Sequence, residues 1–237
     1  MNHLNRDLIA CFGDSITVGR PGVSYLKWLK HKRKYLNFGL GGDTLLGLSK
    51  RMDDCLRRSS CHNFIIEIGC NDILLPYLRK RSNGWTKVVD QLMDRGSVPL
   101  LKVRDFAAQY EKLINKLANK QIMIISIPCI GENLESDLNQ KVMEYNEAIK
   151  SLCQKYGLTY IDFNGWQCER IHNKKLNTHY FITDNPLHMI RDVMTTTYLG
   201  ISDWISQRRK LVVTVDGVHL NKEGAKGLAH LIEKNYR

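Results

Sequence analysis

Five short apolar or β-branched runs, at 8–12, 35–38, 64–68, 122–127 and 158–163, set the limits on how this 237-residue chain can fold. Most of them lack two-residue alternation: Phe64-Ile65-Ile66-Glu67-Ile68 and Ile122-Met123-Ile124-Ile125-Ser126-Ile127 present apolar groups to both sides of an extended strand. Such strands need cover on both faces, the situation of a parallel sheet between two helical layers. Residues at helical spacing lie between the runs. They are Tyr25, Leu26, Trp28 and Leu29; then Leu45, Leu48, Met52 and Leu56; then Phe106, Tyr110, Leu113, Ile114 and Leu117; and finally Leu138, Val142, Tyr145, Ile149 and Leu152. Strand alternating with helix implies right-handed crossovers, and predicts a three-layer α/β/α sandwich on a five-stranded parallel sheet.

The stretch 164–211 breaks this rhythm. It is polar and aromatic, turns at Asn185-Pro186, and predicts short helices near 187–194 and 198–209. It reads as an insertion before a C-terminal helix marked by Ala225, Leu228, Ala229 and Ile232, either as a lid or as a peripheral packing excursion. As a lid it would bring Trp166, Tyr180, Phe181 and Trp204 to an acyl pocket; otherwise these are ordinary core aromatics. With no repeat, low-complexity tract or flexible linker, residues 1–237 read as one domain.

Composition narrows the class. Hydrophobic residues at 43% and charged residues at 25% describe a soluble globular chain, and no apolar run is long enough to cross a bilayer. The start, Met1-Asn2-His3-Leu4-Asn5-Arg6-Asp7, has no apolar h-region, so a cytoplasmic chain is expected. Seven cysteines, none in a C-x-x-C pair, read as reduced thiols. Cys55, Cys61 and His62 lack a second ligand pair, so no metal site is expected. The formal net charge is +11 and the pI about 9.3. The basic residues are dispersed in short clusters (Lys30 to Lys34, Arg57-Arg58, Arg79 to Arg81, Arg208 to Lys210) without interleaved aromatics. They read as solvated faces that favour anionic partners, with no specific nucleic-acid site.

Ligands of open α/β sheets sit at the carboxyl ends of the strands, and three of these ends are unusual. The first delivers Gly13-Asp14-Ser15, the second Gly39-Leu40-Gly41-Gly42-Asp43-Thr44, and the third Gly69-Cys70-Asn71-Asp72. The second has Thr44 where a dinucleotide fingerprint needs its last glycine, and it follows the wrong strand. There is no phosphate-binding G-x-x-x-x-G-K-[ST] loop and no G-x-S-x-G elbow. Asp14 as a phosphotransferase nucleophile lacks a second carboxylate two residues on, where Ile16 stands.

Ser15 as a nucleophile needs a base, and the base needs an acceptor. Asp216-Gly217-Val218-His219 offers both at a spacing that a glycine-loosened turn can close, although Asp-x-x-His on its own also describes a capping or surface histidine. Developing negative charge needs donors. The candidates are the backbone N–H groups of Ser15 and Gly42 and the side-chain amide of Asn71. Taken singly, Gly42 also fits a helix-entry turn and Asn71 a turn-stabilising residue.

Together these blocks resemble the SGNH hydrolases, also called GDSL-type lipases and acylhydrolases. The blocks are Gly13-Asp14-Ser15, Gly42-Asp43-Thr44, Gly69-Cys70-Asn71-Asp72 and Asp216 to His219, in the family's order and across nearly the whole chain. Ile16 replaces the leucine of the family name, and Cys70 fills a variable position. The resemblance implies a flavodoxin-like fold without cofactor. It implies Ser15 as nucleophile, His219 as base and then acid, Asp216 as its orienter, and Ser15, Gly42 and Asn71 as oxyanion donors, with Asp14 and Asp72 holding loops. The implied activity is hydrolysis of a small-molecule ester. A thioesterase with the same residues, or a binding domain using the basic surface, are the alternatives.

Overall fold

The computed structural model describes residues 8–30, 34–58, 61–174 and 180–236. Met1–Asp7, residues 31–33 of the first basic cluster, residues 59–60 and residues 175–179 within the segment 164–211 lie outside the described residues. The five strands are β1 (Leu8–Gly13), β2 (Lys34–Gly39), β3 (Asn63–Glu67), β4 (Gln121–Ile125) and β5 (Thr159–Ile161). All pair in parallel, in the order β2-β1-β3-β4-β5. The central strands β1 and β3 are buried on both faces, as their unalternating sequences require. The edge strand β2 is half-exposed, because it has a neighbour on one side only.

Helices α1 (Ser15–Val18), α2 (Leu45–Arg58), α3 (Cys70–Arg79), α4 (Asn83–Asp94), α5 (Val103–Lys116), α6 (Asp137–Tyr156), α7 (Phe163–Lys174), α8 (Leu187–Asp192), α9 (Ser202–Arg208) and α10 (Lys222–Asn235) complete the sandwich. Helices α2, α5 and α6 pack side by side on one face of the sheet. On the other, α10 packs against α7 and a single 3-10 turn, Tyr25–Trp28, where the spacing predicts a longer helix. Between the layers the core gathers Phe12, Phe64, Ile65, Phe106 and Tyr110, all buried.

Two expectations need correction. Helices α3 and α4 are absent from the periodicity reading, since α3 starts inside the Gly69–Asp72 block and carries Pro76. Nor is all of 164–211 an insertion. Its first part is α7, whose Phe163, Gln167 and Ile171 are buried and whose Trp166 lies against Gly227 of α10. The excursion from the sandwich is 180–211, where a π-helical stretch, Val193–Tyr198, continues α8. Among the described residues no helix is long and apolar enough to cross a membrane.

Register brings the strand ends level: Gly13 pairs with Gly39 on one side and Glu67 on the other. The chain runs outward from β1 to β2 and returns to β3, so the switch in strand order falls between β1 and β3. That places Ser15, the 40–44 loop and Asn71 at one crevice.

Candidate active site

Ser15 is the first residue of α1. Asp14 caps that helix, its Oδ1 accepting the Ile16 N–H at 2.9 Å. Across the crevice Gly217, at φ +95°, turns the chain in a conformation that L side chains rarely adopt. The turn folds Asp216 back on itself. Its Oδ1 accepts the N–H groups of Val218 (3.0 Å) and His219 (2.9 Å), and its Oδ2 lies 2.7 Å from His219 Nδ1. His219 Nε2 lies 2.9 Å from Ser15 Oγ. With an acceptor-only carboxylate at Nδ1, that nitrogen carries the proton and Nε2 is free to accept from the Ser15 hydroxyl. Asp216 and His219 are fully buried and Ser15 retains a narrow opening, 9% exposed.

Burial pushes the Asp216 carboxyl up, but the charge of His219 and three hydrogen bonds outweigh it and hold the group below its ordinary value. Burial pulls the His219 imidazole down, while Asp216, then Asp14 and Asp192, raise it above its ordinary 6.5. Cys70 adds no rival nucleophile. Burial and the nearby carboxyls of Asp14, Glu67, Asp216 and Asp72 keep its thiol protonated.

The 40–44 loop is docked by the Leu40 N–H on Gly13 O (3.0 Å), and Gly42 takes φ +75°. A Cβ there would press within 2.8 Å of the Leu92 side chain. Among the described residues, the N–H groups of Ser15 and Gly42 meet no acceptor. The Asn71 amide is engaged: it donates to Asp43 O at 2.9 Å and to Asp14 Oδ2 at 3.2 Å, tying the second and third strand ends to the first. To serve an oxyanion it must exchange one of these partners. Asp72 accepts the N–H groups of Leu45 (3.0 Å) and Leu100 (2.9 Å), and burial raises it to about 7.

Four residues that the sequence does not assign to the site frame it, and one of them corrects an expectation: Arg209, in the 208–210 cluster read as a solvated face, has a side chain only 10% exposed. Arg51 grips Asp43 through Nε (2.9 Å) and Nη2 (2.6 Å) and caps the carbonyls of Phe38 (2.9 Å) and Gly13 (3.3 Å). Arg51→Ala leaves the buried Asp43 without its cation, and denaturant unfolding should show about 2–3 kcal/mol of lost stability. Glu67, beneath Asp14, accepts from Thr17 Oγ1 at 3.3 Å. Burial raises it to about 7, while burial and the neighbouring Glu67 hold Asp14 well above its usual range. Glu132 accepts the N–H groups of Val212 (2.6 Å), Val213 (2.9 Å) and Thr214 (2.9 Å) and the Thr214 hydroxyl (2.7 Å). Arg209, braced on Asp192 at 2.6 and 2.9 Å, donates to Val215 O at 2.6 Å. The backbone leading into Asp216 is thus held from both sides. Gly131-Glu132 follows β4 at the same sheet edge, and that position is the signal by which Glu132 was open to recognition.

A cleft of about 190 Å³ adjoins the 216–219 turn, lined in part by Tyr77, Ile130, Gly131, Leu138 and Phe181. Gly131 N–H donates to Gly217 O at 2.6 Å, and the Phe181 ring stands against both glycines. Of the four aromatics singled out in the sequence, Tyr180 and Phe181 line this cleft. Trp166 instead stacks on Phe163 at 5.7 Å, and Trp204 is half-exposed beneath Arg208.

The same architecture occurs in solved structures of low sequence identity. A single-residue variant of Axe2, an acetyl xylan esterase from Geobacillus stearothermophilus, superposes with a TM-score of 0.65 at 16% identity, over 96% of this chain and 93% of that one. The acetyl xylan esterase AlAXEase gives 0.65 at 17%, over 96% and 98%. A member of the lipolytic G-D-S-L family from Veillonella parvula gives 0.59 at 17%, over 97% of each. No curated protein matches the chain by sequence. A family model does, over residues 11–226, and by that match the chain belongs to the GDSL-like lipase/acylhydrolase family.

Proposed function

We propose that this chain hydrolyses a carboxylic ester through an acyl-enzyme on Ser15. The observation that carries the reading is the unbroken, buried line from Asp216 through His219 to Ser15, at 2.7 and 2.9 Å. His219 Nε2 takes the hydroxyl proton as Ser15 Oγ attacks the ester carbonyl, and the imidazolium that forms is stabilised by Asp216. The carbonyl oxygen, now negative, is met by the N–H groups of Ser15 and Gly42, and by the Asn71 amide once it turns from Asp43 or Asp14. His219 returns its proton to the leaving alcohol, and a water repeats the cycle on the acyl-enzyme. The Phe181–Tyr77 cleft is positioned for the part of the substrate that does not react. The names of the structural neighbours, acetyl xylan esterases among them, agree with ester chemistry.

The test is treatment with a fluorophosphonate followed by peptide mass spectrometry. A single adduct on Ser15, absent in His219→Ala, supports the reading; an unmodified Ser15 in folded protein overturns it. Ester series of graded chain length then rank the substrates.

The pH profile follows from the imidazole. His219 acts as a base only when neutral, and its folded-state pKa is raised, so activity is lost as pH falls through a midpoint above 6.5. In Asp216→Asn that acidic limb should move down. Glu67 and Asp72 also titrate near 7, so Glu67→Gln and Asp72→Asn are the controls: a limb that survives both and moves in Asp216→Asn belongs to His219.

A further inference from the structure

We propose that the outer face of residues 187–204 docks the protein onto an anionic lipid surface, presenting the Ser15 crevice to esters held there. The docking stands on its own observations, and the substrate it would supply rests on the ester-hydrolase reading.

The segment is inside out. A surface helix normally turns apolar residues to the core and polar ones to water. Here Asp192, Thr196, Ser202 and Ser206 face inward and are buried. Asp192 holds Arg209, Thr196 Oγ1 accepts the Gly22 N–H at 2.8 Å, and Ser206 Oγ donates to Thr214 O at 2.7 Å. Leu187, Ile190, Met194, Tyr198, Leu199 and Trp204 point outward, each between 50% and 67% exposed. Single exposed leucines are common on any protein. A run from Leu187 to Tyr198 at three- and four-residue intervals, on a segment that turns Asp192, Thr196 and Ser202 inward, is a face built to leave water.

Charge selects the occupant. Arg20 covers the Tyr198 ring at 5.5 Å, Arg208 covers Trp204 at 4.9 Å, and Arg191 projects from α8 with its side chain 58% exposed. The acidic groups nearby are engaged: Asp192 by Arg209, Asp203 by Lys222 and Asp184 by Arg81. Aromatic and aliphatic groups interleaved with arginine suit the boundary between headgroups and acyl chains of anionic lipid. A second copy of this chain would instead oppose arginine to arginine on molecules of formal charge +11. The face also adjoins the site, since Thr197 Oγ1 donates to Gly19 O (3.3 Å) and Gly22 O (3.1 Å), in the turn that closes α1.

Flotation of Ser15→Ala protein with phosphatidylcholine vesicles, with and without phosphatidylglycerol, tests this without consuming lipid. The expected result is binding roughly tenfold tighter to the anionic vesicles and weakened by salt. The triple change Leu187→Ser, Ile190→Ser and Met194→Ser, and separately the pair Arg191→Glu and Arg208→Glu, should each reduce it at least roughly tenfold. In protein that keeps Ser15, both sets should leave hydrolysis of a soluble p-nitrophenyl ester unchanged. Equal binding to neutral vesicles, or undiminished binding in the arginine pair, overturns the proposal. So does a dimer in light scattering that the triple change dissociates while neither form binds vesicles. Failure of the ester-hydrolase reading appears separately, as no turnover of the soluble ester.

Discussion

Ser15→Ala and His219→Ala are each expected to lower kcat/KM for a p-nitrophenyl ester by on the order of 10⁴–10⁶, with the fold intact by circular dichroism. In the proposed mechanism each change removes a different member of one relay, so the double variant should be scarcely worse than either single one. Additive losses would show that Ser15 and His219 act in separate steps. Asp216→Asn should cost less than either, because the base and the backbone donors remain. It should still cost on the order of 10³–10⁴, since an amide at Nδ1 stabilises the imidazolium poorly and can favour the wrong tautomer. Asp216 also receives the N–H groups of Val218 and His219, so the asparagine variant needs a thermal unfolding curve beside its kinetics. A fall in kcat without a shift in melting temperature places the effect in the relay; a large shift places it in the turn.

The largest stability effect is expected away from Ser15 and His219. Glu132→Ala strips three buried backbone N–H groups and the Thr214 hydroxyl of their acceptor. Each buried N–H left unsatisfied costs about 1–3 kcal/mol, and solvent entering the cavity recovers part of that, so a net loss of about 4 kcal/mol is expected. In a chain of this size that corresponds to a melting temperature lower by roughly 8–16 °C. Below the transition, kcat should also fall, since the 212–214 backbone sets the approach of Asp216 and His219 to Ser15. Glu132→Gln keeps the shape and one acceptor oxygen but turns an NH₂ toward an N–H, and it should fall between wild type and alanine. An alanine variant as stable as wild type would show that other groups hold this segment.

The division between what the chain announces locally and what it reveals only when folded follows interaction range. The strands β1, β3 and β4 are legible because burial on both faces forces unbroken apolar runs, and α2, α5, α6 and α10 because one buried face imposes a helical period. Ser15, Asp216 and His219 are legible because each sits in a short block whose geometry is local: a strand end, a capped turn, a glycine bend. The edge strand β2 and the one-turn helix Tyr25–Trp28 blur that code, one half-exposed and the other too short to complete a period. Helix α7 was hidden for another reason. Its buried face includes a glutamine, and its contact with α10 depends on Gly227, far along the chain from Trp166.

The supports of the site lie entirely in the second category. Glu132 meets Val212, Val213 and Thr214 across eighty or more residues of chain, Arg51 reaches back to Gly13, and Glu67 sits under Asp14 only because β3 pairs with β1. A single carboxylate or guanidinium carries no periodicity and no motif; its role is defined by the partner that the fold brings to it. The engagement of the Asn71 amide by Asp43 and Asp14 is of the same kind. Residue type and short-range spacing therefore specify the chemistry that this chain can attempt and the layers it must form. Sheet order and register decide which buried charges meet, and with them how rigidly Ser15, Asp216 and His219 are held.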